Sequence, residues 1–220
     1  MRSLATLALA ALLLALAPGS SLADGERVIV VLGDSLTAGL GVTRDEAYPA
    51  LLEGRLRREG LAYRVVNAGV SGDTTAGGLR RLDWVLRARP DIVLVALGAN
   101  DGLRGLPVPA LRDNLTAIVT RLRAAGPRVL LAGMRLPPNY GAAYADAFAE
   151  AFGTVARRTA VPLLPFLLEG VAGQPSLNQA DGIHPNAAGH RVMAETVWRG
   201  LRPLAEAAGE APARFTPPSD

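Results

Sequence analysis

The chain has 220 residues, enough for one domain with a sizeable core, and half of them are hydrophobic. It has no cysteine, which excludes disulfides, thiolate catalysis, cysteine-based zinc sites and a lipid-anchored N-terminal Cys. All 23 basic side chains are arginine, which excludes a P-loop lysine, a Schiff base and a Ser-Lys dyad, and the net charge is only +3.

The N-terminus reads as a secretory signal over residues 1–23. Arg2 supplies the positive charge, Leu4 to Ala17 runs apolar, and "SSLA" places small residues at a cleavage site after Ala23. The apolar run is about 14 residues, short of the roughly 20 that a bilayer span requires. A periplasmic or secreted protein is expected, with no stable membrane insertion once the signal is removed. Its loss takes away one arginine and no acid.

From Val28 onward, β-branched apolar runs alternate with segments of helical periodicity. "VIVVL" (28–32), "YRVVN" (63–67), "DIVLVAL" (91–97) and "RVLLAG" (128–133) read as strands buried on both faces. "VPLLPF" (161–166) is a weaker fifth, because its prolines interrupt it. The intervening stretches 46–60, 75–90, 108–126 and 143–159 have apolar spacing near 3.6 and read as one helix each, and a last helix is expected from Pro185 to about Ala208. Alternation of this kind predicts an α/β fold, a three-layer α/β/α sandwich around a parallel sheet of about five strands. The domain spans 24–207, with a Pro-rich tail at 208–220. Basic pairs such as Arg57-Arg58 and Arg80-Arg81 are interleaved with Glu53, Glu59 and Asp83. They read as solvated helix faces, not as a nucleic-acid stripe.

In a parallel sheet, ligands bind beyond the carboxyl ends of the strands. Gly33-Asp34-Ser35, Gly69 to Asp73 and Gly98 to Asp101 each follow a predicted strand, so all three fall on one rim. Ser35 alone would be a turn residue. His184 lies three residues after Asp181 in "DGIHPN", a spacing that lets the carboxylate hold the ring Nδ1–H and turn Nε2 outward. Pro185 suits the first position of the last helix, with His184 near its cap. Acyl transfer also needs donors for a developing oxyanion. The candidates are the Ser35 N–H, the Gly72 N–H, where glycine allows close backbone approach, and the Asn100 side-chain amide. Asp34 is read as bracing the turn and His190 as structural. Trp84 and Trp198 are read as core or partly buried. Asp34, Asp73 and Asp101 lack the regular spacing of a metal site. Thr37 stands where a G-x-S-x-G elbow needs its last glycine, and "GLGVTR" breaks the dinucleotide fingerprint at its last residue.

"GDSLTAG", the glycine of "SGDT", the asparagine of "GANDG" and "DGIHPN" resemble, in order, the four blocks of the SGNH or GDSL hydrolases. The chain is most similar to their bacterial periplasmic branch of multifunctional acyl-CoA thioesterase I, lysophospholipase and arylesterase type, over roughly Arg27 to Leu204. The resemblance implies the flavodoxin-like SGNH fold and a cofactor-free, metal-free serine hydrolase. Its expected partner is a small acyl ester or thioester, and a monomer is expected. Ser35 would be the nucleophile, His184 the general base and Asp181 its orienter. Ser35, Gly72 and Asn100 would form the oxyanion hole. It also implies that 102–106 and 134–140 border the acyl chain, with Leu103, Leu106, Leu136 and Pro137 as an apolar wall. Two other readings remain: a carbohydrate O-acetyl esterase on the same fold, and a catalytically silent lipid-binding α/β protein.

Overall fold

The computed structural model describes residues 27–209. The expected signal segment and its cleavage site lie outside them, as do residues 210–220 of the expected tail, whereas its first two residues, 208 and 209, belong to the last helix. Five parallel strands form one sheet, β1 (Arg27–Gly33), β2 (Tyr63–Gly69), β3 (Ile92–Ala96), β4 (Arg128–Ala132) and β5 (Leu163–Leu164), in the order β2-β1-β3-β4-β5. The helices are α1 (Ser35–Ala38), α2 (Tyr48–Arg58), α3 (Thr75–Arg80), α4 (Leu82–Arg87), α5 (Ala99–Leu103), α6 (Val108–Ala125), α7 (Ala142–Thr159) and α8 (Ala187–Gly209). α2 and α8 pack together on one face of the sheet, and α3, α4, α6 and α7 cover the other. This is the expected three-layer sandwich. Among the described residues, no helix is long and apolar enough to cross a membrane.

Beyond the half-buried Arg27 and Arg128 that open β1 and β4, the strands β1, β3 and β4 are apolar and buried, as strands covered on both faces must be. β2 departs from the expectation. It is an edge strand with Arg64 and Asn67 exposed, so only part of it is buried. β5 shrinks to two residues, Leu163 and Leu164, between Pro162 and Pro165. Chain order reverses direction between β1 and β3, which makes a crevice at their carboxyl ends. The register brings those ends level: Gly33 of β1 lies opposite Gly69 of β2 and Ala96 of β3.

The single helix expected over 75–90 is instead two, α3 and α4, broken at Arg81 (φ −99°, ψ 12°). Arg81 also departs from the solvated-face reading, since its guanidinium turns inward to the strand ends. Elsewhere that reading holds: Arg57 pairs with Glu53, Arg55 with Glu59 and Arg121 with Asp83 on exposed faces. Trp198 is buried in α8, but Trp84 is 48% exposed, contrary to expectation, because the short α4 turns that side of its surface outward.

Candidate active site

Ser35 is the first residue of a four-residue helix that starts directly after β1. The Asp34 carboxylate caps it by accepting from the Leu36 N–H at 3.0 Å. Gly39 (φ 80°) ends it with an N–H donated to the Ser35 carbonyl. The turn is packed from below. A Cβ on Gly33 would sit 1.9 Å from Thr37 Oγ1, so only glycine fits under the helix. Thr37 Oγ1 is 2.7 Å from the Tyr48 hydroxyl, and Asn67 Nδ2 donates to the Thr37 carbonyl at 2.7 Å. Ser35 is 9% exposed, with its hydroxyl at the floor of the rim.

His184 reaches that hydroxyl from the other end of the chain. Its Nε2 lies 3.0 Å from Ser35 Oγ, and its Nδ1 lies 2.7 Å from Asp181 Oδ2. A carboxylate can only accept, so Nδ1 carries the hydrogen and the Nε2 lone pair faces the serine hydroxyl. Asp181 Oδ1 accepts from the N–H groups of Ile183 and His184, both at 3.0 Å. Donation from the His184 N–H, then from its ring and from Ile183, holds the Asp181 carboxyl down to about 2. Pro185 does not open the last helix. α8 begins at Ala187 and is capped by Asn186 Oδ1, which accepts from Ala188 and Gly189. Pro185 instead pairs with Asn178 in an isolated bridge.

The residues expected to bind an oxyanion gather on the same rim. The Ser35 and Gly72 N–H groups have no acceptor among the described residues. Gly72 adopts φ 79°, and a Cβ there would meet only the Arg104 guanidinium at 3.5 Å. Backbone handedness thus favours glycine here, and no protein atom crowds the position. Asn100, on α5, donates Nδ2 to the Asp73 carbonyl at 3.0 Å and lies 3.5 Å from Asp34 Oδ2. Its second N–H is thus only weakly engaged. Burial pushes the Asp34 carboxyl up to about 6, against the lowering effect of its bond from Leu36.

Asp73 and Asp101 are committed to the scaffold. Asp73 pairs with Arg81 Nε at 2.7 Å, and Asp101 accepts from the Thr75 N–H and hydroxyl. Among the described residues, no group of three or more His, Asp or Glu side chains is disposed around a metal. Leu103 and Leu136 are half-buried, while Leu106 and Pro137 are exposed. Leu136 packs against the core where a Cβ on Gly102 would come within 2.7 Å of it. Two surface depressions lie away from this rim, about 300 Å3 between α2 and α8 and about 330 Å3 between α6 and α7, and neither holds a site residue.

His190 is buried, and its Nδ1 accepts from the Tyr48 N–H at 3.2 Å while its ring stacks on Tyr48. Two residues escaped sequence reasoning. Gln179 Nε2 donates to the carbonyls of Leu40 at 2.7 Å and Pro185 at 2.9 Å, tying the serine loop to the histidine loop. Arg81 ties the strand ends together. Neither carries a local sequence signal for its long-range bond, since Leu40 lies 139 residues from Gln179 and Gly33 lies 48 from Arg81.

Residues 31–192 match the model of the GDSL-like lipase/acylhydrolase family. The chain is 48% identical over 179 residues to the "Esterase TesA" of Pseudomonas aeruginosa, covering 81% of this chain and 89% of that one. It is 41% identical over 177 residues to the "Thioesterase 1/protease 1/lysophospholipase L1" of Escherichia coli K12, covering 80% and 84%. A crystal structure of TesA superimposes with a TM-score of 0.79 at 47% identity, over 81% of this chain and 99% of that one.

Proposed function

The chain belongs to the GDSL-like lipase/acylhydrolase family, and from that premise we propose that it hydrolyses carboxylic esters and thioesters, aryl esters and lysophospholipids among them. The observation that carries this reading is the Ser35–His184–Asp181 relay, 3.0 and 2.7 Å, beside backbone N–H groups with no acceptor among the described residues.

Ser35 Oγ attacks the carbonyl carbon while its proton passes to His184 Nε2. Asp181, ionised at any working pH, stabilises the imidazolium. The former carbonyl oxygen takes the negative charge and lies against the N–H groups of Ser35 and Gly72 and the Asn100 amide. As the C–O or C–S bond breaks, Nε2 returns its proton to the leaving alcohol or thiol, which leaves an acyl-serine. Water then attacks, giving its proton to Nε2. The second collapse releases the carboxylic acid and returns the proton to Ser35. Leu103, Leu106, Leu136 and Pro137 border the acyl chain. The protein acts as an exported, periplasmic or secreted, monomer after cleavage following Ala23.

A fluorophosphonate probe tests the core of this reading: labelling at Ser35 is expected, and no labelling leaves a silent lipid-binding protein. A panel of aryl esters of rising chain length, lysophospholipid, acyl-CoA and sugar acetates tests the substrate class. Turnover confined to sugar acetates would replace the present reading with the O-acetyl esterase. The intact mass of the exported protein should begin at Asp24; an uncleaved N-terminus found only in membranes would overturn the export assignment.

A further inference from the structure

We infer that Arg81 is a positioning residue that sets the oxyanion donors Gly72 and Asn100 against the nucleophile turn; this rests on the reaction proposed above. Its guanidinium makes three bonds in one fork. Nε donates to Asp73 Oδ2 at 2.7 Å, Nη1 to the Ala68 carbonyl at 2.8 Å and Nη2 to the Gly33 carbonyl at 2.9 Å. Each acceptor stands next to a working group. Gly33 ends β1, and Ser35 follows two residues on. Ala68 is the penultimate residue of β2, before the loop that carries Gly72. Asp73 is bonded to Gly72 on one side of the chain, and its own carbonyl accepts from Asn100 Nδ2.

The surroundings are built for this fork. The α3–α4 break occurs at Arg81 itself, which lets the side chain leave the helix surface and reach the sheet. The Arg81 and Asp73 side chains are 19% and 12% exposed, sheltered enough for the pair to hold one geometry. Gly77 must be glycine, since a Cβ there would fall 1.6 Å from Asp73 Oδ1. The loop from β2 is also tied to β1 by the Val70 N–H, which donates to the Gly33 carbonyl at 3.1 Å. Without Arg81, the Ala68 carbonyl and Asp73 Oδ2 would lose this donor and the Gly33 carbonyl would keep the Val70 N–H, with three acceptor oxygens drawn around an emptied space. Planar, five-donor guanidinium chemistry satisfies all three at once, and an ammonium cannot.

The test compares Arg81→Lys and Arg81→Ala with the unaltered protein on a short aryl ester, with kcat expressed per serine titrated by fluorophosphonate. That normalisation removes any loss of folded protein. Arg81→Lys, which keeps the charge and most of the stem, should lower kcat per active serine by about tenfold or more, a part of the loss of a whole oxyanion donor. KM should stay within about twofold, because the donors matter most once the carbonyl oxygen is charged. The acid limb of the pH profile should not move, since Asp181 and His184 do not touch Arg81. In an Asn100→Ala background the same substitution should cost clearly less, because one of the groups it positions is already gone. Unchanged kcat per active serine in Arg81→Lys, or an equal loss with and without Asn100, overturns the inference. Failure of Ser35 to label in the unaltered protein would overturn the reaction instead.

Discussion

The acid–base half of the site comes from one short turn, Asp181 to His184, whereas the oxyanion half is assembled from loops after β1, β2 and β3. The turn carries its own geometry: one carboxylate binds two backbone N–H groups and the imidazole within three residues of chain. It stands in water, with the Asp181 side chain 45% exposed. The opposite side is more sheltered, with Ser35 buried and Gly72 and Asn100 half-buried, and its order comes from long-range bonds: Arg81 to Gly33, Asn100 to Asp73, Thr37 to Tyr48. A solvated turn can afford motion that a hole for developing charge cannot, because preorganised dipoles stabilise only where they already point.

If nucleophile and base act as one machine, removing either Ser35 or His184 should remove nearly everything. Ser35→Ala and His184→Ala should each lower kcat by on the order of 10⁴–10⁶, and the double variant should be scarcely worse than either. Losses that multiply in the double variant would separate the halves and end the relay reading. Asn100→Ala sharpens the comparison from the buried side: kcat should fall roughly 10²–10³ with KM little changed. A near-normal kcat would make Asn100 a turn-former only.

The buried scaffold also has a pH signature of its own. Burial pushes His190 down from 6.5 to about 4, so the unfolded chain binds its proton first as pH falls. Its contribution is complete above about 6.5 and is lost as pH drops toward about 4, by at most about 3 kcal/mol. Asp34 runs the other way. Its carboxyl, raised from 3.8 to about 6, is protonated first in the folded state, so stability from this group declines as pH rises through that window. Denaturant titrations of the unaltered protein and His190→Gln should therefore converge as pH falls from 6.5 to 4. A constant gap would show that His190 does not titrate with unfolding.

The smallest effect concerns the flank of the rim. Leu136→Ala should weaken long-chain esters more than short ones in kcat/KM, by about 1–2 kcal/mol for a half-buried leucine. Equal losses at every chain length would return Leu136 to the core.

Most of the architecture is legible because it rests on periodicity: Val28 to Leu32 and Ile92 to Ala96 read as doubly covered strands and are. The edge position of β2 is not legible, since strand order is decided by which helices the whole chain can pack. Of the candidate site, the parts readable in advance were the local ones. Asp181 and His184 hold each other across three residues, and Asp34 caps a helix it precedes. Arg81 looked like one more surface arginine, because nothing near it in sequence reveals that Gly33 lies across 48 residues of chain. The positive φ of Gly72 is a further reason for glycine that the sequence alone does not reveal.

The contact between Ser35 and His184 spans 149 residues, and α8 fastens back to the first third of the chain through His190 on Tyr48 and the Ala205 carbonyl on Tyr63. A ribosome delivers the serine long before it delivers the base, and N-terminal segments begin to fold first. An unfinished or clipped chain thus exposes a hydroxyl with nothing to deprotonate it. Hydrolytic power would switch on only at completion, so the return of turnover during refolding should time the docking of the last helix.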